Sequence, residues 1–287
     1  MQEFVHFDGK LIPRTEARVS VLDYGFLFGY GLYETIRAYN GKVFRLDDHL
    51  LRLDASAKSI GIKLDIAALR QAVLDTVKAN GFLDTRVRIT VSAGEGTMTP
   101  NLASCERPTF IVLAGEYHPF AAEKYEKGFN VVVSPVRRNS RSPVTFMKSA
   151  SSMENMLARQ QAKNAGADEA LFLNERNYVT EASGSNVFIV ADGVVVTPRL
   201  KSGILPGVTR EALFGVVGQA NLKVLEANVR LRQLLAAEEV FLTNSLIEVM
   251  PITAVDGEAI GGGKVGPVTK KLMYAYRQLV ASELRAR

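Results

Sequence analysis

One lysine, Lys148, lies in the stretch "SPVTFMKSASSMENM", with small or apolar residues on both sides. Because apolar surroundings disfavour an ammonium ion, a lysine placed in this way can present a neutral amine. A neutral amine is the group that forms a Schiff base with an aldehyde. The alternative is a surface lysine whose hydrocarbon stem packs against the protein while its ammonium reaches water.

A carboxylate in the stretch "YVTEASGSNVF" is a second candidate for chemistry. Glu181 ends a strand-like run and is followed by the small residues 182–185. A carboxylate in this position can pair with a protonated ring nitrogen of a cofactor. The alternative is a turn residue at the end of a strand.

Three further stretches contain groups that bind phosphate. Val208 and Thr209 in "GILPGVTREALFG" lie where a loop enters a helix, and the free N–H groups and dipole of a helix start favour an anion. Ser245 is a hydroxyl within the apolar run "FLTNSLIEV", and Arg52 flanks the apolar stripe of a predicted helix. Helix capping and a solvated arginine are the alternatives. Together with the amine and the carboxylate, these groups form the set of side chains that a protein needs to bind pyridoxal 5'-phosphate.

Composition and charge exclude several other classes. The net charge of +5 is spread along 287 residues, so neither nucleic acid nor a membrane surface is an expected partner. One cysteine and three scattered histidines predict no disulfide and no metal site. The start of the chain has no signal-peptide pattern and no run is long and apolar enough to cross a membrane, so we expect a cytoplasmic protein.

The elements that must position these groups follow from turn signals and periodicity. Asp8-Gly9 and Asn40-Gly41 each lie between strand-like runs and predict hairpins. Apolar residues at steps of three and four predict a helix over 46–60, capped by Asp47 or Asp48. Further helices are predicted over 65–80 and 151–165 and after Gly207, and strands over 85–93, 108–116 and 238–252. The pattern is typical of the α+β class.

The pattern of predicted strands and helices changes near residue 120, and this change predicts two domains. The stretch 117–128, with Pro119 and mixed charge, is the expected linker. It would separate an N-terminal α+β domain, 1–116, from a C-terminal domain, 129–287, that carries Lys148.

In order and spacing, five stretches resemble the class IV, or fold type IV, aminotransferases, which include branched-chain aminotransferases, D-amino acid aminotransferases and aminodeoxychorismate lyases. They are "GYGLYETIRAYNGKVFRLDDHLLRL", "MKSASSMENMLARQQAKNAGADEALFLN", "YVTEASGSNVFIV", "GILPGVTRE" and "FLTNSLIEVMPI". The resemblance implies an N-terminal α/β sandwich-like domain, a C-terminal barrel-like α/β domain, bound pyridoxal 5'-phosphate and a homodimer or dimer-based oligomer. It implies that Lys148 is the Schiff-base lysine, that Glu181 is the partner of the ring nitrogen, and that the phosphate is bound by Arg52, Val208, Thr209 and Ser245.

The resemblance favours transamination of branched-chain L-amino acids with 2-oxoglutarate, so amino acids and keto acids are the expected small-molecule partners. It implies a substrate pocket formed by Phe28, Tyr30, Tyr33, Arg37, Arg88 and Leu246. Departures keep alternatives open: Ser152 and Met153 stand where branched-chain enzymes have a tyrosine, and "NSLIE" replaces their "GTAAE"-like turn. The alternatives are a D-amino acid aminotransferase, a 4-amino-4-deoxychorismate lyase and a ligand-binding relic without catalysis.

Overall fold

The structure, a computed structural model, describes residues 2–285 and divides into two compact units. Unit 1 comprises residues 2–118 together with the short segment 147–151. Unit 2 comprises 119–146 and 152–285. The boundary differs from the sequence prediction at two points. Tyr117 and His118 belong to unit 1, and Lys148 is carried by unit 1 rather than by the C-terminal domain.

Unit 1 is built on an antiparallel sheet with the strand order β2-β1-β6-β5-β3-β4. The strands are β1 Phe4–Phe7, β2 Lys10–Pro13, β3 Gly31–Tyr39, β4 Lys42–Val43, β5 Asp84–Ser92 and β6 Thr109–Glu116. The helices are α1 Tyr24–Phe28, α2 Leu46–Ser59 and α3 Ile66–Asn80.

Both predicted hairpins of unit 1 are confirmed. Asp8 and Gly9 join β1 to β2, and Asn40 and Gly41 join β3 to β4, in each case with positive φ at both turn residues. The predicted helix over 46–60 is also confirmed, but its cap is wrong. Arg45 is the N-cap residue, with a φ of 50°, and the two aspartates fall inside the first helical turn, where they interact favourably with the helix dipole.

The core of unit 1 lies between α2, α3 and one face of the sheet. Alternate residues of β3 and β5, such as Ile36 and Ile89, point to this face and are fully buried against helix residues such as Leu50 and Leu53. Because side chains alternate along a strand, the intervening residues of β3 and β5 point to the other face of the sheet.

Unit 2 is built on a nine-stranded sheet. Its strands are β7 Phe129–Arg138, β8 Glu169–Asn174, β9 Val179–Ala182, β10 Asn186–Ala191, β11 Val194–Pro198, β12 Lys223–Ala227, β13 Glu239–Asn244, β14 Glu248–Val255 and β15 Glu258–Ala259. Its helices are α4 Ala122–Lys127, α5 Met153–Asn164, α6 Val208–Gln219, α7 Leu231–Leu235 and α8 Pro267–Arg285.

Six of these strands close into a ring, because β9 pairs with both β8 and β10. The order around the ring is β10-β13-β14-β7-β8-β9, and an apolar core containing Leu171, Val187 and Leu242 is buried in this unit. The expected barrel-like character of the C-terminal part is therefore confirmed. The predicted strand over 238–252 is wrong as a single strand: this run forms most of the hairpin of β13 and β14.

No helix within residues 2–285 is long and apolar enough to cross a membrane. In the same part of the chain, no three His, Cys, Asp or Glu side chains are grouped so that they could hold a metal ion.

Candidate active site

In unit 1, the segment 147–151 pairs with the start of β3. The backbone N–H of Tyr33 donates to the carbonyl of Lys148, and the N–H of Ala150 donates to the carbonyl of Gly31, each over 2.8 Å. Gly29 has a φ of 64°, and a Cβ on this residue would lie 2.7 Å from the Ser151 hydroxyl. The backbone around the lysine is therefore fixed by sheet-like pairing, and the close approach at position 29 requires glycine.

The ring of Tyr33 connects the two cations of this region. The Lys148 Nζ lies 4.5 Å from the ring centroid, and the Arg88 guanidinium carbon lies 3.6 Å from the same centroid. Burial lowers the pKa of Arg88, and the nearby charge of Arg86 lowers it further. A half-buried arginine beside an amine is suited to bind a carboxylate in a bidentate manner.

Arg52, the predicted phosphate ligand, is bound to a carboxylate that the sequence interpretation did not include. Its Nε and Nη2 donate to the two carboxylate oxygens of Glu34 over 2.8 and 2.6 Å. His49 Nδ1 lies 2.8 Å from Glu34 Oε2. Because a carboxylate only accepts hydrogen bonds, we assign the imidazole proton to Nδ1. The phosphate-binding role of Arg52 stays a prediction.

The charges in this cluster follow from burial and pairing. Burial alone would raise the pKa of Glu34, but the Arg52 charge and the His49 hydrogen bond outweigh it and hold the pKa at about 2. Burial lowers the pKa of His49, and although Glu34 opposes this, the charges of Arg52 and Lys148 lower it further. At neutral pH the cluster therefore consists of a carboxylate, a guanidinium and a neutral imidazole.

Three residues that were predicted to line a pocket have other contacts in unit 1. The Arg37 guanidinium binds Asp84 through Nε and Nη2, over 2.9 and 2.6 Å. The Tyr30 hydroxyl donates to the carbonyl of Ile60 over 2.7 Å. Phe28 is 41% exposed at the end of α1, and its ring makes an edge-to-face contact with Tyr24 at 4.9 Å between centroids. Their roles toward a substrate are not tested by these contacts and stay predictions.

In unit 2, Glu181 lies where the ring of strands closes, opposite Asn186 on β10. Its Oε2 accepts hydrogen bonds from the Leu205 N–H over 3.0 Å and from the Asn186 amide over 3.3 Å. Arg138 Nη2 lies 4.0 Å from Oε1. The amide donors of Leu205 and Asn186 thus orient this buried carboxylate, and the Arg138 guanidinium lies beyond hydrogen-bonding distance of Oε1.

The start of α6 has the features of a phosphate site. Val208 and Thr209 are buried in its first turn, and Gly207 precedes them without a side-chain cap. A Cβ on Gly207 would collide with Asn186 Oδ1, so only glycine allows the backbone to take this path. First-turn amides and a helix dipole that meet a glycine-lined backbone fit the phosphate of pyridoxal 5'-phosphate.

The turn between β13 and β14 carries Ser245 and Leu246. Asn244 fixes it: its Oδ1 accepts from the Leu246 and Ile247 N–H groups over 2.8 and 2.9 Å. Its Nδ2 donates to the carbonyl of Gly184 and to the Ser185 hydroxyl over 2.9 and 2.8 Å. The Ser245 position is therefore rigidly tied to the loop that follows Glu181.

Several site residues were missed by sequence reasoning. Glu34 lies in a run that was interpreted as a hairpin strand, and His49 lies in one that was interpreted as an amphipathic helix. A charged residue in a buried strand is nevertheless a signal that a partner exists. Asn186 and Arg138, which surround Glu181, gave no signal that distinguishes them from ordinary strand-end residues.

Comparisons with known proteins identify the family of this chain. The family model for amino-transferase class IV matches residues 31–255. The branched-chain-amino-acid aminotransferase of Pseudomonas aeruginosa is 33% identical over 291 residues, covering 98% of this chain and 94% of that one. The D-alanine aminotransferase of Bacillus licheniformis is 33% identical over 285 residues, covering 97% of this chain and 98% of that one.

A solved structure is also similar over almost its full length. It is the branched-chain amino acid aminotransferase of Thermobaculum terrenum in its PLP-form, the holo-form. It matches with a TM-score of 0.86 and 27% identity, covering 97% of this chain and 94% of that one.

The closed ring of strands, the antiparallel sheet that carries the lysine and the family match together define a pyridoxal-phosphate-dependent enzyme of the α+β class. The chain belongs to the class IV aminotransferases.

Proposed function

We propose that this protein transaminates branched-chain L-amino acids, with 2-oxoglutarate as the amino acceptor. The observation that carries the proposal is the Tyr33 ring with the Lys148 amine on it and Arg88 stacked against it. An amine for covalent chemistry, a cation for a substrate carboxylate and an aromatic ring for an apolar side chain are then present in one unit. The relatives named for branched-chain amino acids support the choice of substrate.

Pyridoxal 5'-phosphate, when bound, supplies an aldehyde that condenses with an amino group and a ring that accepts the electron pair left by the α-proton. Lys148 Nζ would hold the cofactor between turnovers, take the α-proton from the substrate and deliver it to the cofactor carbon that had carried the aldehyde. Glu181 would keep the proton on the ring nitrogen, since its Oε2 is already oriented by the Leu205 N–H. Arg52, Val208, Thr209 and Ser245 would bind the phosphate.

The test of the catalytic role is Lys148→Ala, with Lys163→Ala on the surface of α5 as the matched control. The first variant is expected to lose turnover by at least about 10⁴-fold, because no other group replaces the amine. The control is expected to keep wild-type turnover. Full activity in Lys148→Ala would remove this residue from the mechanism.

Substrate choice is tested by half-reactions. The cofactor-loaded protein is mixed separately with L-leucine, L-glutamate, D-alanine and aminodeoxychorismate, and the decay of the cofactor absorbance is followed. We expect L-leucine and L-glutamate to react. A response to D-alanine alone would favour a D-amino acid aminotransferase, for which the Bacillus licheniformis relative is the supporting observation. A response to aminodeoxychorismate alone, with release of pyruvate, would identify a lyase.

We further propose that the protein forms a homodimer. The support is a group of exposed apolar side chains around α1, in which Val21 is 72% and Phe26 is 74% exposed. Exposed apolar groups at this density mark interaction surfaces. Light scattering of the wild type and of Phe26→Glu tests the proposal: a dimer that the substitution dissociates supports it, and a monomeric wild type contradicts it.

A further inference from the structure

Arg138, the cation beside Glu181 in unit 2, has few close polar partners. Its side chain is 12% exposed, and its guanidinium carbon lies 4.3 Å from the ring centroid of Phe172, a fully buried residue of β8. Its Nε is buried and has no hydrogen-bond partner among the described residues. Because a guanidinium that is removed from water is costly unless an opposite charge compensates it, the charge of Arg138 needs an anion nearby.

Two carboxylates lie near this guanidinium, and they differ in their exposure to solvent. Nη1 is 3.5 Å from Glu154 Oε2, in the first turn of α5, and Nη2 is 4.0 Å from Glu181 Oε1. The Glu154 side chain is 61% exposed, so water screens most of its charge. The Glu181 side chain is 11% exposed, so its attraction to Arg138 is screened much less.

The position of Arg138 is set by the strands around it. It is the last residue of β7, which pairs with β8, and its carbonyl accepts a hydrogen bond from the Glu175 N–H over 3.2 Å. Stacking on Phe172 then holds the guanidinium beside Glu181 without a direct hydrogen bond to it. Arg138 therefore acts on Glu181 through its charge and not through a hydrogen bond.

We infer that Arg138 is a positioning residue that acts on the cofactor through Glu181. The inference rests on the proposed function, in which Glu181 keeps the proton on the ring nitrogen of pyridoxal 5'-phosphate. A fixed positive charge 4.0 Å from the carboxylate favours its ionised form, and so opposes transfer of the shared proton from the ring nitrogen to Glu181. Arg138 thereby preserves the positive charge of the ring, on which the capacity of the ring to accept electrons depends.

The position of the shared proton is measured by nitrogen NMR on protein loaded with pyridoxal 5'-phosphate that is isotopically labelled at the ring nitrogen. Arg138→Met removes the charge but still packs on Phe172, Arg138→Gln is a second charge-free variant, and Arg138→Lys keeps the charge. We expect the signal to move toward the unprotonated position in both charge-free variants and to stay near the wild-type position in Arg138→Lys. Arg232→Met, at an exposed position of α7, is the matched control and is expected to leave the signal unchanged.

The same variants are compared in the half-reactions with L-leucine and with L-glutamate. The cofactor absorbance is expected to decay roughly 10-fold more slowly in Arg138→Met, because one charge at this separation changes a proton equilibrium by about that factor or more. Arg138→Lys is expected to recover most of the rate. In the Glu181→Gln background, Arg138→Met is expected to have no further effect, because Arg138 acts through Glu181.

Three results would overturn the inference. A ring-nitrogen signal that is displaced in Glu181→Gln but unchanged in Arg138→Met would show that Glu181 works without Arg138. Equal displacement in Arg138→Lys and Arg138→Met would assign the effect to packing and not to charge. A signal that is unchanged in Glu181→Gln itself would overturn the role of Glu181 in the proposed function, and the inference with it.

Discussion

Two carboxylates, one in each unit, have pKa values of about 2 for different reasons. Glu34 is fully buried, and the charge of Arg52 with the hydrogen bond of His49 overcomes the effect of burial. Glu175 is exposed, and its pKa is lowered first by the Ser140 backbone N–H and then by the Ser140 hydroxyl, at 2.9 and 2.7 Å. The same pKa therefore describes a buried ionic cluster and a surface hydrogen-bonded turn.

The difference lies in what each carboxylate contributes to the fold. Glu34 joins β3 to α2 on the sheet face opposite Lys148. Because this cluster is buried, water has little access to replace Glu34 as the hydrogen-bond partner of Arg52 and His49. Glu175 fixes Ser140 in the segment that leads along the chain to Lys148, and water can replace either hydrogen bond. Burial, rather than the pKa itself, decides how much stability depends on the carboxylate.

Glu34→Gln is expected to have the largest effect. The change keeps the shape but leaves the Arg52 guanidinium without its counter-charge, which lowers the free energy of unfolding by about 3–5 kcal/mol. Urea denaturation followed by circular dichroism measures it, with Glu123→Gln on the surface of α4 as the control. A loss below about 1 kcal/mol would mean that solvent already screens the cluster.

The pH dependence of stability is the next largest effect. The folded pKa of Glu34, about 2, lies below its ordinary value of 4.5. Its contribution is therefore fully present above pH 4.5 and is lost as the pH falls from 4.5 to 2, by about 3 kcal/mol. In denaturation curves from pH 6 to 2, the stability gap between the wild type and Glu34→Gln is expected to close. A gap that stays constant would contradict the assigned ionisation.

Much of the local structure behind this comparison could be predicted, because turns and amphipathic helices are encoded over a few residues. Asp8-Gly9, Asn40-Gly41 and the apolar spacing over 46–60 correctly gave two hairpins and α2. The Glu34 cluster could not be predicted, since a glutamate in a buried strand is stable only through partners supplied by another element. Which residues of α2 face β3 is decided by packing.

Two further differences have the same physical origin. Lys148 belongs to unit 1 because the neighbouring backbone pairs with Gly31 and Tyr33, more than a hundred residues away in the chain. The run 238–252 folds as a hairpin because Asn244 binds two turn amides and Glu248 adopts a φ of 60°. Neither a distant pairing nor an asparagine that organises a turn follows from composition and spacing alone.

A smaller effect is expected from Gly203→Ala. Besides Glu175, Gly203 also packs closely against Ser140, and this substitution tests that contact. Gly203 has a φ of 91°, and an added Cβ would lie 3.0 Å from the Ser140 Cα. We expect a loss of about 1–3 kcal/mol in the free energy of unfolding. Gly193→Ala, at a φ of 70° with open space around the Cβ, isolates the backbone strain. Equal losses in both variants would show that the Ser140 contact adds nothing.

Glu175→Gln is expected to have the smallest effect, within about 1 kcal/mol, because an amide still accepts one of the two Ser140 hydrogen bonds and the site is exposed. Thermal denaturation of this variant beside Glu34→Gln measures the contrast directly. A loss as large as that of Glu34→Gln would contradict the distinction between the buried and the exposed carboxylate.

The covalent role of Lys148 is tested most directly by chemical trapping. The purified protein is incubated with pyridoxal 5'-phosphate, reduced with borohydride, digested and analysed by mass spectrometry. The proposed mechanism predicts a stable phosphopyridoxyl group on the peptide that contains Lys148, and none on the peptide that contains Lys163. An unmodified Lys148 peptide, or a modified peptide from elsewhere in an active protein, would contradict it.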